Sequence, residues 1–121
     1  MIAHNYELDM TPGDEPLRIH LNKNDADFVL NLALFSSAGT LTIEADTTAE
    51  IRGTKGNGSE YTASATLNTE TATVSVEGDI NLTDEAGTGV FEICLTHNGK
   101  ELYSANFFIV VEQIPSYNRR N

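Results

Sequence analysis

Apolar residues recur at every second position in many short runs of the chain, a spacing that is typical of β-strands. The first run places one set of side chains on a common strand face: Ile2, His4, Tyr6, Leu8 and Met10. The most apolar run, residues 28–35, predicts a central strand covered on most of both faces. Its core-facing side chains would be Phe28, Leu30, Leu32 and Leu34.

The middle of the chain carries further alternating runs, separated by turn-forming residues. These runs predict strands or half-strands at residues 17–21, 41–43, 49–53, 61–67 and 72–76. We expect a turn at residues 11–16, a polar loop at 22–27, a turn at 36–39 and a hairpin loop at 54–58. Residues 83–89 are compatible with one helical turn, and we interpret them as a loop.

The last third of the chain predicts an antiparallel hairpin. Asn98-Gly99 joins the runs 90–96 and 101–112, and both residues tolerate the positive φ of a type I′ turn. The more apolar face of the second run, which we expect to point into the core, carries Tyr103, Ala105, Phe107, Ile109 and Val111. Eight or nine short strands with turns every ~8 to 12 residues predict an all-β fold, an antiparallel β-sandwich.

Length and composition agree with one folded module. The chain has 121 residues, which fits a single domain, and 40% of them are hydrophobic, which allows one core without disulfides or metals. We expect the β-sandwich to span residues 1–115. Residues 116–121 would form a polar C-terminal tail or the start of a linker.

The negative net charge of the chain disfavours two classes of partner. The formal net charge of -11 makes nucleic acid and anionic membrane surfaces poor partners, because both are bound by clustered Lys and Arg. The basic residues stand apart along the sequence, with only Arg119 and Arg120 adjacent. No secretory signal opens the chain, and no uncharged apolar stretch approaches the ~18 residues of a membrane span. We therefore expect synthesis in the cytoplasm without a signal peptide.

Residue types suited to catalysis are sparse. Cys94 is the only cysteine, which excludes an intrachain disulfide, and its apolar run favours a buried core thiol. His4, His20 and His97 stand at no recognised metal-ligand spacing, which favours hydrogen-bonded surface roles. The chain has no Gly-x-Ser-x-Gly nucleophile elbow, and Gly-x-x-Gly-x-Gly at residues 53–58 lies in a predicted hairpin with no helix after it.

Carboxylates occur in three clusters: Asp14 with Glu15, Asp25 with Asp27, and Asp79 with Asp84 and Glu85. Ca²⁺ binds oxygen ligands from loops, but the twelve-residue calcium-loop pattern is absent. We interpret these clusters as turn and solubility features. The prediction is a protein that is not an enzyme, with no catalytic residue, metal, cofactor or small-molecule substrate.

Six segments of the chain form a recognisable series. They are Tyr6-Glu-Leu-Asp-Met-Thr-Pro-Gly-Asp, Asp27-Phe-Val-Leu-Asn-Leu-Ala-Leu-Phe-Ser-Ser-Ala-Gly-Thr, Ala49-Glu-Ile-Arg-Gly-Thr-Lys, Tyr61-Thr-Ala-Ser-Ala-Thr-Leu, Ala86-Gly-Thr-Gly-Val-Phe-Glu-Ile and Leu102-Tyr-Ser-Ala-Asn-Phe-Phe-Ile-Val-Val-Glu. Their order and spacing, across residues 5–115, resemble the N-terminal domain of the phage baseplate upper protein family. That family belongs to tailed phages and prophages of Gram-positive bacteria.

The resemblance implies a virion structural protein in the tail baseplate. Its β-sandwich would dock on the tail hub, position receptor-binding components for host attachment, and assemble into trimers or a higher ring. Family members usually continue past a final Val-Glu-x-x-Pro into a helical linker, whereas this chain ends six residues after Pro115. The chain is therefore either an excised domain or a short stand-alone relative.

The family pattern assigns no contact residue, so loops and exposed strand edges are the candidate binding features. The candidate protein-binding residues are Asn22, Asn24, Asp25 and Asp27 in the polar loop, and Tyr117, Arg119 and Arg120 in the C-terminal segment.

Two other functions stay open at this point. A carbohydrate-binding or adhesin-like sandwich would need exposed aromatic platforms, and the chain has no Trp and Tyr only at positions 6, 61, 103 and 117. A small hydrolase would need His and carboxylate side chains to converge in one pocket.

Overall fold

The computed structural model describes residues 2–11 and 15–113, and the regular secondary structure of this part of the chain is almost wholly β-strand. The strands are β1 (Ile2–Asp9), β2 (Arg18–Asn22), β3 (Phe28–Phe35), β4 (Thr48–Thr54), β5 (Glu60–Asn68), β6 (Thr73–Glu77), β7 (Gly87–His97), β8 (Lys100–Tyr103) and β9 (Phe107–Glu112). One helical turn, α1 (Ile80–Thr83), precedes β7. The predicted all-β class and the predicted eight or nine strands are confirmed.

The strands form one continuous sheet in the order β1-β3-β6-β5-β4-β7-β9-β2, with β8 paired to β7 beside β9. Strand β5 turns the sheet, because its residues 60–65 pair with β4 while its residues 66–68 pair with β6. The sheet therefore curls into a half-barrel around its own core. The predicted strictly antiparallel sandwich of separate layers is wrong on this point.

Two strand pairs are parallel, and both lie at the ends of the sheet. Strand β1 runs parallel to β3, and β2 runs parallel to β9. A parallel neighbour needs a crossover connection rather than a tight turn. The connection between β1 and β3 includes β2, which lies at the opposite end of the sheet.

The core contains the faces that the alternating pattern assigns to it. Phe28, Leu30 and Leu32 of β3 have no exposed surface, and Leu8 of β1 is also buried. Opposite them lie the buried side chains Ile19, Ile51, Ile93, Phe107 and Ile109. The inward faces predicted for β3 and for residues 107–111 of β9 are thus confirmed, and alternate residues of β2, β4 and β6 are buried as well.

The predicted strand at residues 101–112 is interrupted at Ser104, where a side-chain hydroxyl replaces one of the main-chain partners of Ile93. The Ser104 N–H donates to the Ile93 carbonyl at 2.9 Å, and the Ser104 hydroxyl oxygen accepts the Ile93 N–H at 2.9 Å. β8 ends at Tyr103 and β9 begins at Phe107. Tyr103 is 40% exposed, so its predicted core position is wrong.

Two further elements differ from the predictions. Residues 40–44 form no strand, although Leu41 and Ile43 pack against the core from the connection between β3 and β4. The predicted loop at residues 83–89 is shorter than expected, because β7 begins at Gly87 and the helical turn α1 lies earlier. The Asp79 carboxylate caps α1 by accepting the Asn81 N–H at 2.9 Å.

Among the described residues no helix is long and apolar enough to cross a membrane. The end of the final strand predicted at Pro115 and the polar segment 116–121 lie outside the described residues.

Candidate interaction surface

A groove runs along the line where the curled sheet comes back towards itself. The Ala105 N–H, between β8 and β9, donates to the carbonyl of Asp9 at the end of β1, at 3.0 Å. The cavity beside this contact has a volume of about 640 Å³ and is lined by residues that include Glu7, Asp9, Phe35, Val90 and Phe108. We call it the seam groove.

The floor of the seam groove is apolar. Phe35 is 42% exposed and Val90 is 41% exposed, which places two large hydrophobic side chains in contact with solvent. Phe108 lies beside Val90 across the β7–β9 pair, and the Arg18 guanidinium covers its ring at 4.7 Å from the ring centre. An exposed apolar patch with a polar rim is typical of a protein contact surface.

The rim of the seam groove is acidic. Glu7, Asp9 and Glu15 all line it. Hydrogen bonding from Ser37 and from the Thr11 N–H holds the pKa of the Asp9 carboxyl below its ordinary value, so this group stays ionised under most conditions. A partner segment that combines a basic side chain with apolar ones would complement this groove.

The edge of β1 that faces away from β3 offers main-chain groups for pairing. The Ile2 N–H donates to Asp27 and the Met10 N–H donates to Phe35, so the even-numbered residues of β1 bond towards β3. In a parallel pair the intervening residues point their N–H and C=O the other way. Ala3, Asn5 and Glu7 therefore present main-chain donors and acceptors along an exposed edge.

Strand β2 has a matching edge at the other end of the sheet. The Leu17 carbonyl accepts the Phe108 N–H and the Lys23 N–H donates to Glu112, so the odd-numbered residues bond towards β9. By the same alternation, the main-chain groups of Arg18, His20 and Asn22 point away from β9. All three residues are exposed.

The predicted binding loop after β2 is held against α1. Asn24 adopts a left-handed conformation with φ 65°, and its N–H donates to the Thr83 carbonyl at 2.8 Å. The Thr83 hydroxyl donates to the Asp25 carbonyl at 2.6 Å. The Asp25 carboxylate accepts the Asp27 N–H at 3.0 Å.

The loop brings four of the seven candidate binding residues together at one corner of the half-barrel, with Asn22 as the last residue of β2. Their binding role stays a prediction. Tyr117, Arg119 and Arg120 lie outside the described residues.

A polar cluster that the sequence analysis did not identify lies on the outer face of β4, β7 and β8. Arg52 donates to the Glu50 carboxylate at 2.5 Å and 2.9 Å, and to the Glu101 carboxylate at 3.0 Å. The Tyr103 hydroxyl donates to Glu101 at 2.9 Å, and the Cys94 thiol lies 3.4 Å from the same carboxylate. These residues are far apart in sequence, and only the Glu50-x-Arg52 spacing on one strand face could have indicated the cluster.

This cluster contains the one group of three potential metal ligands in the described part of the chain, namely Glu50, Cys94 and Glu101. The Arg52 guanidinium already binds both carboxylates, so the ligand atoms are engaged in ion pairs. Burial, followed by the hydrogen bond to Glu101, raises the pKa of the Cys94 thiol, which disfavours the thiolate that a ligand or nucleophile would need. The arrangement is suited to bracing the sheet.

The three histidines lie in separate places. The His4 ring packs edge-on against Phe28, with ring centres 6.2 Å apart. His20 Nδ1 lies 2.6 Å from the Glu112 carboxylate, and His97 Nδ1 lies 2.7 Å from the Asp46 carboxylate. Within residues 2–11 and 15–113, none of the three belongs to a larger group of metal ligands.

The carboxylates around α1 bind side chains and main chain of neighbouring segments. The Tyr61 hydroxyl donates to the Asp79 carboxylate at 2.8 Å, and burial raises the pKa of Tyr61. Lys55 Nζ donates to the Asn81 carbonyl at 2.6 Å and to the Asp84 carboxylate. The hydrogen bond from Lys55 lowers the pKa of Asp84.

Comparison with known proteins adds one finding about this architecture. No family model matches the chain, and no curated protein matches its sequence. Among solved structures, the N-terminal domain of phage TP901-1 ORF48 is similar, with a TM-score of 0.72 and 14% sequence identity. The similarity covers 93% of this chain and 99% of that domain. The chain therefore has the fold of the N-terminal domain of phage TP901-1 ORF48.

Proposed function

We propose that this protein is a structural component of a phage tail baseplate. The observation that carries the proposal is the shared fold with the N-terminal domain of phage TP901-1 ORF48, a baseplate protein, over 93% of this chain. The series of sequence segments that resembles the baseplate upper protein family supports the same assignment. In this role the domain docks on the tail hub and positions receptor-binding components.

The surface of the molecule supports a role in binding other proteins. The seam groove combines exposed Phe35 and Val90 with an acidic rim, and both ends of the sheet present main-chain groups for pairing. Each of these features suits a protein partner better than a small molecule. The proposal includes that the protein is not an enzyme, which agrees with the raised pKa of the Cys94 thiol, because a raised pKa disfavours a nucleophilic thiolate.

The test is the location of the protein in virions. Antibodies raised against the purified chain should label the tail tip of phage particles induced from a strain that carries the gene, as seen by immunogold electron microscopy. Particles from a strain in which the gene is deleted are the control, and they should lack both the label and adsorption to host cells. Label on the capsid, or complete and infectious particles without the gene, would contradict the proposal.

The alternative of a carbohydrate-binding module finds little support among the tyrosine side chains that the structure describes. Tyr61 is buried and Tyr6 is half-buried. Tyr103 is exposed, but the Arg52 guanidinium lies 5.9 Å from its ring centre and its hydroxyl bonds to Glu101. A glycan array should give no binding, whereas saturable binding to one cell-wall polysaccharide would favour this alternative over the baseplate role.

A further inference from the structure

Building on the proposed baseplate role, we infer that β1 of one copy pairs antiparallel with β2 of a second copy. The paired residues would be Ala3 with Asn22, Asn5 with His20, and Glu7 with Arg18. The partner that this surface fits is thus another copy of the same chain.

The main-chain groups of the two edges match in number and direction. β1 presents three residues that point away from β3, and β2 presents three that point away from β9, with the same spacing of two along each strand. When two such residues face each other in an antiparallel pair, they exchange two hydrogen bonds. Each of the three facing pairs would be of this kind.

The ends of both edges limit the register. Beyond Glu7, the carbonyl of Asp9 is occupied by the Ala105 N–H, and the residue that would face it is Pro16, which has no N–H to donate. Beyond Asn22, the N–H of Asn24 is occupied by Thr83. In this register the two edges can therefore form three hydrogen-bonded residue pairs.

The side chains of the facing strands are also complementary in this register. On the outer face the acidic Glu7 lies opposite the basic Arg18. On the inner face Tyr6 lies opposite Ile19 and Leu8 lies opposite Leu17, which continues the apolar side of the sheet from one copy into the next. Charge and polarity thus agree with the main-chain match.

Pairing of like edges lacks this complementarity. Two β1 edges would bring the acidic residues Glu7 and Asp9 of both copies to one interface, and two β2 edges would bring together two sets of Arg18, His20 and Lys23. Neither arrangement places an acidic side chain opposite a basic one. The charges therefore favour β1 with β2.

A contact between two different edges is heterologous, and it closes into a ring if the rotation between copies permits. Because β1 and the residues that lead into β2 line the same seam groove, two copies that make the β1–β2 contact twice would close as a dimer instead. The net charge of -11 on each copy opposes association, but at physiological ionic strength this repulsion is screened beyond about 8 Å.

Charge exchange tests the side-chain pairing. In sedimentation equilibrium at physiological salt, the wild-type chain should self-associate. Glu7→Arg and Arg18→Glu should each weaken association about tenfold, because an attractive cross-strand pair becomes repulsive. The double variant Glu7→Arg with Arg18→Glu should regain association close to that of the wild type.

Urea unfolding of each variant provides the folding control. Both side chains are exposed, so the unfolding midpoints should stay near that of the wild type. A wild-type chain that is strictly monomeric up to about 1 mM, or a double variant no better than the singles, would overturn the inference.

Disulfide trapping tests the register. Residues that exchange two hydrogen bonds in an antiparallel pair have Cα atoms ~5.5 Å apart, which suits a disulfide. Under oxidising conditions a mixture of Ala3→Cys and Asn22→Cys chains should form a cross-linked heterodimer. The native Cys94 is buried, and wild-type chains should stay uncross-linked. Cross-linking of either variant with itself, and not with the other, would indicate pairing of like edges and overturn the inference.

These experiments separate the inference from the function on which it rests. If immunogold label is found at the tail tip while the purified chain is monomeric, the baseplate role stands and the edge pairing fails. If the chain self-associates in this register but virions carry no label, the pairing stands and the baseplate role fails.

Discussion

Strands β1 and β3 are neighbours with the same alternating pattern, yet only β3 is fully part of the core. β3 is paired on both sides, with β1 and β6, and Phe28, Leu30 and Leu32 have no exposed surface. β1 is paired on one side, and along it burial increases from Ile2, which is 62% exposed, to Leu8, which is buried. The alternation sets the face of each side chain, but it does not by itself decide how deeply that face is buried. Stability is therefore concentrated in the middle of the sheet, and its two ends are available for contacts.

The largest expected effect comes from a core truncation in β3. Leu32→Ala should lower the free energy of unfolding by about 3 kcal/mol, because it leaves a cavity beside fully buried neighbours. The matched truncation at the sheet end, Ile2→Ala, should cost less than about 0.5 kcal/mol. Urea unfolding followed by circular dichroism measures both, and similar costs would contradict the comparison.

The next largest loss of stability is expected at Gly53, where β4 packs closely against β7. A Cβ at Gly53 of β4 would lie 2.3 Å from Cδ2 of Phe91 and 2.4 Å from the carbonyl oxygen of Val90. Since main chain cannot yield easily, Gly53→Ala should cost about 1 to 3 kcal/mol of unfolding free energy. Gly39→Ala is the control, because a Cβ there meets no atom within 4 Å. Equal unfolding midpoints for the two variants would argue against tight packing in the middle of the sheet.

The connection from β6 to β7 should contribute less than the central strands. Asp79→Ala removes both the cap of α1 and the acceptor of the Tyr61 hydroxyl, and we expect a loss of about 1 to 2 kcal/mol. Tyr61→Phe removes the hydroxyl alone and should cost a smaller part of this. Thermal unfolding of both variants and of their combination measures the coupling, and a Tyr61→Phe cost above that of Asp79→Ala would show that the cap contributes nothing.

The smallest expected effect is on the pH dependence of stability, and it involves Asp84 in the connection from β6 to β7. The hydrogen bond from Lys55 lowers the pKa of Asp84 from its ordinary value of 3.8, so its contribution to stability is present above that value and is lost as the pH falls through the lowered pKa. Lys55→Met should therefore show a smaller decrease in urea midpoint than the wild type on going from about pH 6 to pH 2.

Lys100→Met is the matched control for this measurement, because Lys100 is an exposed lysine at the start of β8. It should follow the wild-type pH dependence. If Lys55→Met did so as well, the ion pair with Asp84 would have no influence on acid stability.

Local pattern was enough to predict most of the strands and their core faces. Alternation alone predicts that the runs containing Leu32 and Ile109 face the core, and the Asn98-Gly99 hairpin follows from turn chemistry. The errors lie where long-range contacts override the pattern. Ser104 splits the last predicted strand by pairing with Ile93 of β7, and residues 40–44 pack on the core without a strand partner.

The candidate surface was less accessible to sequence reasoning. The loop at residues 22–27 was recognised from its composition, but its attachment to Thr83 depends on a contact between segments almost sixty positions apart. The seam groove joins residues of β1, β3, β7 and β9, and no local signal relates them. The same is true of the cluster around Arg52.

By itself, the sequence determined that this chain is an all-β protein, where most of its strands lie and which of their faces are buried. The reason is that successive side chains of a strand point to opposite faces, so apolar residues at every second position mark the buried face. Apart from the hairpins β4–β5 and β7–β8, the tertiary structure alone decided which strands are neighbours. It also decided that β1 pairs in parallel with β3 and β2 with β9, and that the sheet curls through β5 into a half-barrel. Pairing depends on main-chain groups that are the same in nearly every residue, so it is settled by the closing of loops and the packing of the whole sheet.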